Sequence, residues 1–276
     1  MNYSHPLVQA IQKSVKAQPK PCVNISGGID STIILHHLSE KTNETIYTYT
    51  VGFSDQEPEY ANARQVSDHY ETCHKEIFIK NMLNTFPEIL KHFSQPRFNL
   101  WPYWLAKQAF KDQRISCYIG EGGDEHFGGY WYKPQRSYVE HWASFFTYVY
   151  STYKTIYDIF PSLSLIVPMH PNTLSTDITY PYYDFEQNKR YLREAYKNIL
   201  PDFVVERKKL NGRKNYNIMW QKELKPYFPN ANPQSEEEIK ELWNGWVYRE
   251  WLRTRELEPI TQPCNHRINK PLQPRM

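Results

Sequence analysis

Cysteine is scarce in this chain, and its few cysteines are widely spaced. The 276 residues include Cys22, Cys73, Cys117 and Cys264, and no two of them form a C-x-x-C pair. This spacing argues against a structural zinc site, a redox dithiol and a disulfide framework. We therefore expect a protein of a reducing compartment, the cytoplasm.

Long apolar runs and an excess of one charge are also missing. No stretch approaches the roughly 18 apolar residues of a membrane helix, and the N-terminus lacks the layout of a signal peptide. The 33 basic and 30 acidic residues leave a formal net charge of +3. Such a balance gives no argument for a nucleic-acid or membrane partner, so any anion site must be local.

The order of strand-like and helix-like segments predicts an α/β protein. Short β-type runs lie at 22–25, 46–53, 74–79 and 115–120, and apolar residues at helical spacing occupy 7–15, 57–71, 82–93 and 102–111. This alternation predicts a doubly wound parallel sheet with ligands at the carboxyl ends of its strands. We divide the chain into an α/β core over 1–130 and a mainly helical C-terminal part over 131–276, with a capped helix that starts near 235.

A run of aromatic residues and a group of four histidines could suggest a cofactor site or a metal site, but we interpret both as structural. Residues 130–160 carry twelve aromatic residues at near-helical spacing, which is typical of packing. His36, His37, His69 and His74 match no H-E-x-x-H pattern, and we interpret them as surface or packing residues.

Two glycine clusters follow predicted strands, although the chain has only ten glycines: SGGIDS (26–31) and GEGGDEHFGGY (120–130). Because the carboxyl ends of parallel strands lie on one edge of a sheet, the two clusters can face each other. Backbone N–H groups of a Ser-Gly-Gly turn and of the following helix start form an anion site, to which Ser26 and Ser31 would add hydroxyl groups. Asp30 and Asp124 would supply the hard oxygen ligands that Mg²⁺ prefers.

Alone, SGGIDS is equally compatible with an ordinary turn and a helix cap. The second cluster favours a nucleotide site for ATP and Mg²⁺, because phosphate and metal ligands then occur together. The G-x-x-x-x-G-K-[ST] pattern is absent, so the site is not a Walker-type loop.

The same stretches resemble a known family. SGGIDS resembles the PP-loop, S-G-G-x-D-S, of ATP pyrophosphatases, and GEGGDEHFGGY resembles the G-E-G-x-D-E-x-F-G-G-Y motif of the asparagine synthetase-type synthetase domain. Further on, DITYPYYD (177–184) is similar to the family's E-x-R-x-P-F-L-D stretch, and ERKKLNG (206–212) to its R-x-K-x-G-F stretch. The resemblance implies a HUP-like α/β fold and cleavage of ATP between its α- and β-phosphates.

Carried over by position, the resemblance assigns the nucleotide site. It implies that the pyrophosphate is held by residues of the first cluster, namely Ser26, Gly27, Gly28, Asp30 and Ser31. Gly120 and Gly122 of the second cluster are also expected to bind the nucleotide. The resemblance also implies that Asp30 and Asp124 coordinate Mg²⁺.

The resemblance further assigns the reacting groups. Glu121 falls at the position near the acceptor and the ammonia step, and Lys209 matches the lysine that stabilises charge during adenylation, with Lys208 as the alternative of a one-residue shift. Asp177 is the acidic residue ahead of the P-F-L-D stretch, where the family's arginine is replaced by Thr179.

These assignments predict an ATP-dependent amide ligase that adenylates a small-molecule carboxylate, releases pyrophosphate and transfers ammonia or an amine to the acyl-adenylate. Glutamine-dependent asparagine synthetases carry a glutaminase domain that begins with a nucleophilic cysteine after Met. Here residue 2 is Asn, so we expect the nitrogen to come from free ammonia, from a separate ammonia-supplying protein or from an amine substrate. Two alternatives stay open: adenylation of a nucleobase in RNA modification, and a non-catalytic nucleotide-binding module.

Overall fold

A five-stranded parallel sheet forms the centre of the protein. The computed structural model describes residues 3–52, 58–129, 137–184, 186–207 and 219–255. The strands are β1 (Pro21–Asn24), β2 (Tyr47–Gly52), β3 (Cys73–Phe78), β4 (Ser116–Tyr118) and β5 (Ser164–Ile166). They lie in the order β3-β2-β1-β4-β5, and every neighbouring pair is parallel.

Helices connect the strands and form most of the remaining described chain. The first half contains α1 (Pro6–Ser14), α2 (Ile29–Ser39), α3 (Pro58–His69), α4 (Met82–Leu90), α5 (Trp101–Lys111) and α6 (Gly123–Phe127). The second half contains α7 (Tyr138–Ser144), a π-helical segment (Phe145–Tyr150), α8 (Ser151–Asp158), α9 (Thr176–Thr179), a 3₁₀ turn (Tyr180–Tyr182), α10 (Arg190–Tyr196), α11 (Asp202–Val205), a second π-helical segment (Trp220–Leu224), a 3₁₀ turn (Lys225–Tyr227) and α12 (Glu236–Arg253). None of these helices is long and apolar enough to span a membrane.

The direction of strand addition reverses between β1 and β4. From β1 the chain adds β2 and then β3 on one side, whereas β4 and β5 lie on the other side. In sheets of this kind a crevice opens at the carboxyl ends of the two strands that flank the reversal. SGGIDS follows β1 and GEGGD follows β4, so the fold places both glycine clusters at this crevice.

The sheet is covered on both faces because alternate residues of each strand point to opposite sides. Cys22 of β1 belongs to a buried cluster that includes α4, α5, α8 and α12, with Phe86 and Trp243 among its members. Val23, the next residue, belongs to a second cluster that includes α1, α2 and α10, with Ile33 and Leu192. The central strands β1 and β4 are accordingly buried along almost their whole length, as expected of a parallel sheet with helices on both faces.

The predicted fold class is confirmed: the chain forms a doubly wound parallel sheet, and helices dominate its C-terminal part. The sequence did not indicate β5, which pairs with β4 in register from Ser116↔Ser164 to Tyr118↔Ile166. Three residues are too short for a period-2 pattern to stand out. Since β5 comes from beyond residue 130, the sheet draws on both parts of the chain, and the boundary at residue 130 remains a prediction.

Two cysteines are neighbours in space although they are 95 positions apart. Cys22 and Cys117 are in-register partners on β1 and β4, and their Sγ atoms lie 2.9 Å apart. Both are buried, and both are free thiols. Two thiols of this chain are therefore close in space although the sequence has no C-x-x-C pair, because strand pairing brings together residues that are distant in the sequence.

Candidate nucleotide site

Two glycine loops meet at the carboxyl edge of the sheet. We define the first glycine loop as residues 26–31 and the second as residues 120–129. A Cβ atom added at Gly120 would lie 2.9 Å from the backbone nitrogen of Ser31, and one added at Gly123 would lie 2.5 Å from Asp30 Oδ1. No side chain fits at either position, so glycine is what allows the loops to touch.

The first glycine loop leads into α2 without a side-chain cap. Gly28 is the N-cap residue, and no side-chain cap hydrogen bond is formed at this end. The Gly28 N–H donates to Ser26 Oγ at 3.3 Å, and the Ser31 hydroxyl donates to the Gly28 carbonyl at 3.2 Å. The first amides of a helix have no acceptor within it, so the start of α2 suits an anion.

Arg207 supports the first glycine loop from the C-terminal half of the chain. Its Nη2 donates a hydrogen bond to the Gly27 carbonyl. Burial lowers the pKa of this guanidinium, which nevertheless stays charged at neutral pH. The sequence prediction gave this residue no role, because it considered the neighbouring lysines of the same basic run.

Lys189 joins the aspartates of the two loops. Its Nζ lies 2.5 Å from Asp124 Oδ1 and also donates to Asp30 Oδ2. The lysine side chain is only 1% exposed. Burial by itself lowers the pKa of an ammonium, but the two carboxylates outweigh it and raise the pKa of Lys189 above its ordinary value. The centre of the site thus carries one buried cation and two anions.

The predicted metal ligands fit Mg²⁺ by their chemistry. Asp30 and Asp124 both present a carboxylate oxygen to the same nitrogen, so their oxygens converge on one place, and carboxylate oxygens are suitable Mg²⁺ ligands. Lys189 already lies between them, and an ion bound here would share both carboxylates with that ammonium.

Lys189 is a second residue that sequence reasoning missed. It lies in a polar stretch where a lysine is typical of a solvated surface, and it is 159 positions from Asp30. Its backbone has the left-handed φ of 63°, and it is the N-cap residue of α10. No local pattern of the sequence signals that such a residue is buried between two carboxylates.

Glu121 lies in the second glycine loop and contacts α8. Its carboxylate lies near the buried hydroxyl of Tyr153, and burial together with this negative charge raises the pKa of Tyr153 well above its ordinary value. Glu121 is separated from Asp124 by the two glycines Gly122 and Gly123, and Gly122 is the N-cap residue of α6. Glu121, predicted for the acceptor and ammonia step, and Asp124, predicted as a Mg²⁺ ligand, therefore lie in the same loop.

The remaining predicted residues stand apart from this centre. Asp177 is exposed in the first turn of α9, where its N–H donates to Ser175 Oγ at 3.2 Å. Within the described ranges, no hydrogen bond or ion pair joins the Asp177 side chain to either glycine loop. Thr179, at the position of the family's arginine, is buried, with its Oγ1 2.6 Å from His126 Nδ1. Lys208 and Lys209 lie outside the described residues.

Doubly wound α/β proteins bind nucleotides in the crevice where the strand order reverses, and here that crevice contains a phosphate-type glycine loop and a loop with carboxylates. Comparison with known proteins identifies the family. A family model described as asparagine synthase matches residues 2–178. The chain belongs to the asparagine synthase family. The predicted resemblance is thereby confirmed.

Individual relatives match over limited segments. Asparagine synthetase [glutamine-hydrolyzing] 1 of Bacillus subtilis (strain 168) is 33% identical over 112 residues, which cover 38% of this chain and 17% of that protein. Asparagine synthetase [glutamine-hydrolyzing] of Zea mays is 29% identical over 126 residues, which cover 40% of this chain and 21% of that protein. The matches thus cover about a fifth of the length of these curated relatives.

One solved structure can be superimposed on most of the chain. It is a U34-tRNA thiolase, NcsA, from Methanococcus maripaludis with its [4Fe-4S] cluster, at a TM-score of 0.40 and 11% identity. The superposition covers 96% of this chain and 84% of that chain.

Proposed function

We propose that this protein is an ATP-dependent ligase that adenylates a small-molecule carboxylate and then transfers the acyl group to ammonia or an amine. The observation that supports this most directly is the meeting of Asp30 and Asp124 at Lys189, because it joins the two glycine loops into one site. The site combines an anion-binding helix start, a buried cation and two carboxylates. These groups can bind the phosphates of a nucleoside triphosphate and its metal ion.

In this proposal the first glycine loop binds the pyrophosphate portion of ATP. The amides of Gly27, Gly28 and the first turn of α2 would donate to its oxygens, together with the hydroxyls of Ser26 and Ser31. The ammonium of Lys189 lies beside this loop and would offset the negative charge of the leaving pyrophosphate. Asp30 and Asp124 would hold Mg²⁺, which supplies charge neutralisation to phosphate oxygens when it is bound.

The first chemical step would join the substrate carboxylate to AMP. A carboxylate oxygen attacks the α-phosphorus, the bond from that phosphorus to the bridging oxygen of the β-phosphate breaks, and the electron pair leaves with pyrophosphate. Negative charge accumulates around the α-phosphorus as this happens, and a fixed cation lowers the barrier. We assign this role to Lys209, with Lys208 as the alternative.

The second step would use Glu121. The nitrogen nucleophile attacks the acyl carbon, the bond to the AMP oxygen breaks, and the nitrogen must lose a proton. A carboxylate within reach can accept that proton, and in this proposal the neighbouring Tyr153 hydroxyl orients the Glu121 side chain. We assign Asp177 to the acceptor side of the site, where Thr179 replaces the family's arginine.

The nitrogen source is a further part of the proposal. It would be free ammonia, ammonia from a separate protein, or an amine of the substrate. Purified protein given ATP and an acid distinguishes ammonia from an amine substrate, because an added ammonium salt supports product formation only where ammonia is the nucleophile.

Binding of Mg²⁺ and ATP tests the assigned site. Isothermal titration calorimetry of the full chain should show one ATP bound per chain in the presence of Mg²⁺. Asp30→Asn and Asp124→Asn should each weaken the affinity at least about tenfold, because each removes a charged ligand from the site. Asp158→Asn makes the same change at an exposed residue that pairs with Lys154 and should leave the affinity unchanged. Equal affinity in all four proteins would overturn the assignment.

A further inference from the structure

A second cluster of metal-type side chains lies at the other end of α2. His36, His37 and Glu40 each offer one ligand atom, and these three atoms lie within 4.8 Å of one another. Both histidines are buried, with exposures of 8% and 0%. Asp30 is in the first turn of the same helix, and since an α-helix rises about 1.5 Å per residue, this cluster is separate from the nucleotide site.

The three donor groups converge on one side of the helix. Glu40 Oε2 lies 3.2 Å from His37 Nδ1 and 3.9 Å from His36 Nε2. The Tyr3 hydroxyl lies 2.6 Å from His36 Nε2 and donates to Glu40 Oε1 at 2.8 Å. Two imidazole nitrogens, a carboxylate and a phenol oxygen therefore surround the same place.

The outer nitrogen of each imidazole is held by a tyrosine. His36 Nδ1 lies 3.2 Å from the Tyr70 hydroxyl, and His37 Nε2 lies 2.8 Å from the Tyr196 hydroxyl. Histidines that bind metals almost always have their second ring nitrogen fixed by a hydrogen bond of this kind. Both rings are thus oriented with their inner nitrogens towards Glu40.

The hydrogen bonds determine where the protons of His36 lie. Tyr3 has a single hydroxyl proton and donates it to Glu40, so His36 Nε2 must carry a proton and donate to the Tyr3 oxygen. His36 Nδ1 is then the acceptor, and Tyr70 donates to it. The ring is fully satisfied as a neutral imidazole.

The protons of His37 can be assigned in the same way. Its Nδ1 donates to Glu40, which can only accept when ionised, and its Nε2 accepts from Tyr196. For a metal to bind the inner nitrogens, the proton of each ring must move to the outer nitrogen, and the tyrosine hydroxyl must turn its own proton away from the ring so that its oxygen accepts this hydrogen bond.

We propose that His36, His37 and Glu40 bind a zinc ion, with the Tyr3 hydroxyl available as a fourth ligand. Two imidazoles and one carboxylate form a mixed nitrogen and oxygen donor set that suits Zn²⁺. Mg²⁺ prefers an octahedral set of oxygens and would not compete here. The site is therefore distinct in its metal preference from the carboxylates of the glycine loops.

The proposed ion would bind side chains of α2 and Tyr3, and it would reach α10 through the hydrogen bond between His37 and Tyr196. Near its start α2 contacts Lys189 through Asp30, and seven residues later it contacts Tyr196 through His37. Tyr196 is likewise seven residues after Lys189. The two helices thus touch at both ends with the same spacing, and an ion at the His37 end would stabilise the pairing that places Lys189 in the nucleotide site.

Zinc binding by the untagged full chain tests this proposal. After removal of metals with a chelator, calorimetry with Zn²⁺ in the absence of nucleotide should show one ion bound per chain. Glu40→Gln keeps the size of the side chain but removes the anionic ligand, and it should weaken the affinity at least about tenfold. Tyr196→Phe removes an outer hydrogen bond and should weaken it about 10- to 100-fold.

Matched controls separate this site from other ligands. His69→Gln alters an exposed neighbouring histidine and should leave the zinc affinity unchanged, whereas Asp30→Asn alters the nucleotide site and should leave the ion bound with at most a few-fold change in affinity. Zinc should also raise the melting temperature of the wild type and not that of Glu40→Gln.

Three results would overturn the proposal: no stoichiometric zinc binding, an affinity unchanged in both Glu40→Gln and Tyr196→Phe, or binding that is lost in Asp30→Asn. If Glu40→Gln does not fold, Tyr196→Phe decides alone. If the cluster is only a hydrogen-bond network, we expect no stoichiometric zinc binding. In that case Glu40→Gln would lower the melting temperature equally with and without zinc.

Discussion

The Nζ atom of Lys189 lies 2.5 Å from Asp124 Oδ1, and it donates to Asp30 Oδ2 at the same time. One buried ammonium therefore connects a carboxylate that follows β1 with a carboxylate that follows β4. The contact fixes the two glycine loops relative to each other, and it sets the charge that an incoming polyphosphate would meet.

Replacement of Lys189 by methionine should destabilise the fold. Removal of one partner of a buried ion pair leaves uncompensated charge and typically costs about 3–5 kcal/mol. Urea denaturation of the Lys189→Met variant measures this loss in the free energy of unfolding.

A double mutant shows whether the loss comes from the carboxylates. Asp124→Asn removes one of the two unpaired charges, so Lys189→Met should cost less in the Asp124→Asn background than in the wild type. Additive effects would mean that the 2.5 Å contact contributes no coupling energy.

Gly120→Ala should separate the two glycine loops. The added Cβ would lie 2.9 Å from the Ser31 backbone nitrogen, so one loop must move, at a cost of about 1–3 kcal/mol. We expect a lower free energy of unfolding and weaker ATP binding by calorimetry.

Gly245→Ala is the matched control. Gly245 lies within α12, and a Cβ there would meet no atom within 4 Å. This substitution should stabilise the protein by about 0.5–1 kcal/mol, because alanine favours helix over glycine. Weakened ATP binding in Gly245→Ala, or normal binding in Gly120→Ala, would contradict the close approach of the loops.

The two adjacent lysines of the basic run can be distinguished by one substitution each. Lys209→Met should slow pyrophosphate release by about 10²–10³-fold, the typical loss when a group that stabilises transition-state charge is removed. Lys208→Met should change the rate only a few-fold, and neither should alter ATP affinity strongly. The opposite order would transfer the role to Lys208.

The free energy of unfolding should fall as the pH decreases below about 6.5. Burial lowers the pKa of His74, whose Nδ1 lies 2.9 Å from Thr48 Oγ1. The unfolded chain then binds a proton more readily than the folded one, so stability is present above the unfolded pKa and is lost as the pH falls towards the folded pKa.

His74→Gln should reduce this pH dependence. The slope should decrease by up to one proton, about 1.4 kcal/mol per pH unit. It should not vanish, because burial lowers the pKa of other imidazoles as well, including those of His36 and His126. Urea denaturation at several pH values measures the slope, and an unchanged slope in His74→Gln would show that this imidazole does not contribute.

Features that depend on adjacent residues were predictable from the sequence. The glycine loops could be recognised because each follows a strand and precedes a helix within a few residues. The start of α12 was indicated by the Ser-Glu-Glu-Glu pattern, and Ser235 Oγ accepts the Glu238 N–H at 3.2 Å there. In such cases the chemistry and the geometry are encoded in one short stretch.

Features that depend on distant residues were not predictable. Lys189 acquires its position from α10, which packs beside α2, and no spacing rule relates it to Asp30. His36 and His37 were interpreted as surface or packing residues because their partners Tyr3 and Tyr196 are 33 and 159 positions away. Tertiary packing, and not local propensity, determines which polar side chains are buried together.

The products of ATP turnover test the proposed function most directly. Purified protein is supplied with Mg²⁺, ATP, ammonium and a panel of small carboxylic acids, and the phosphorus products are identified by ³¹P NMR. Adenylation predicts AMP and pyrophosphate in equal amounts, formed only with an accepted acid and abolished by Asp124→Asn. Formation of ADP and inorganic phosphate, or products that persist in Asp124→Asn, would contradict the proposed adenylation.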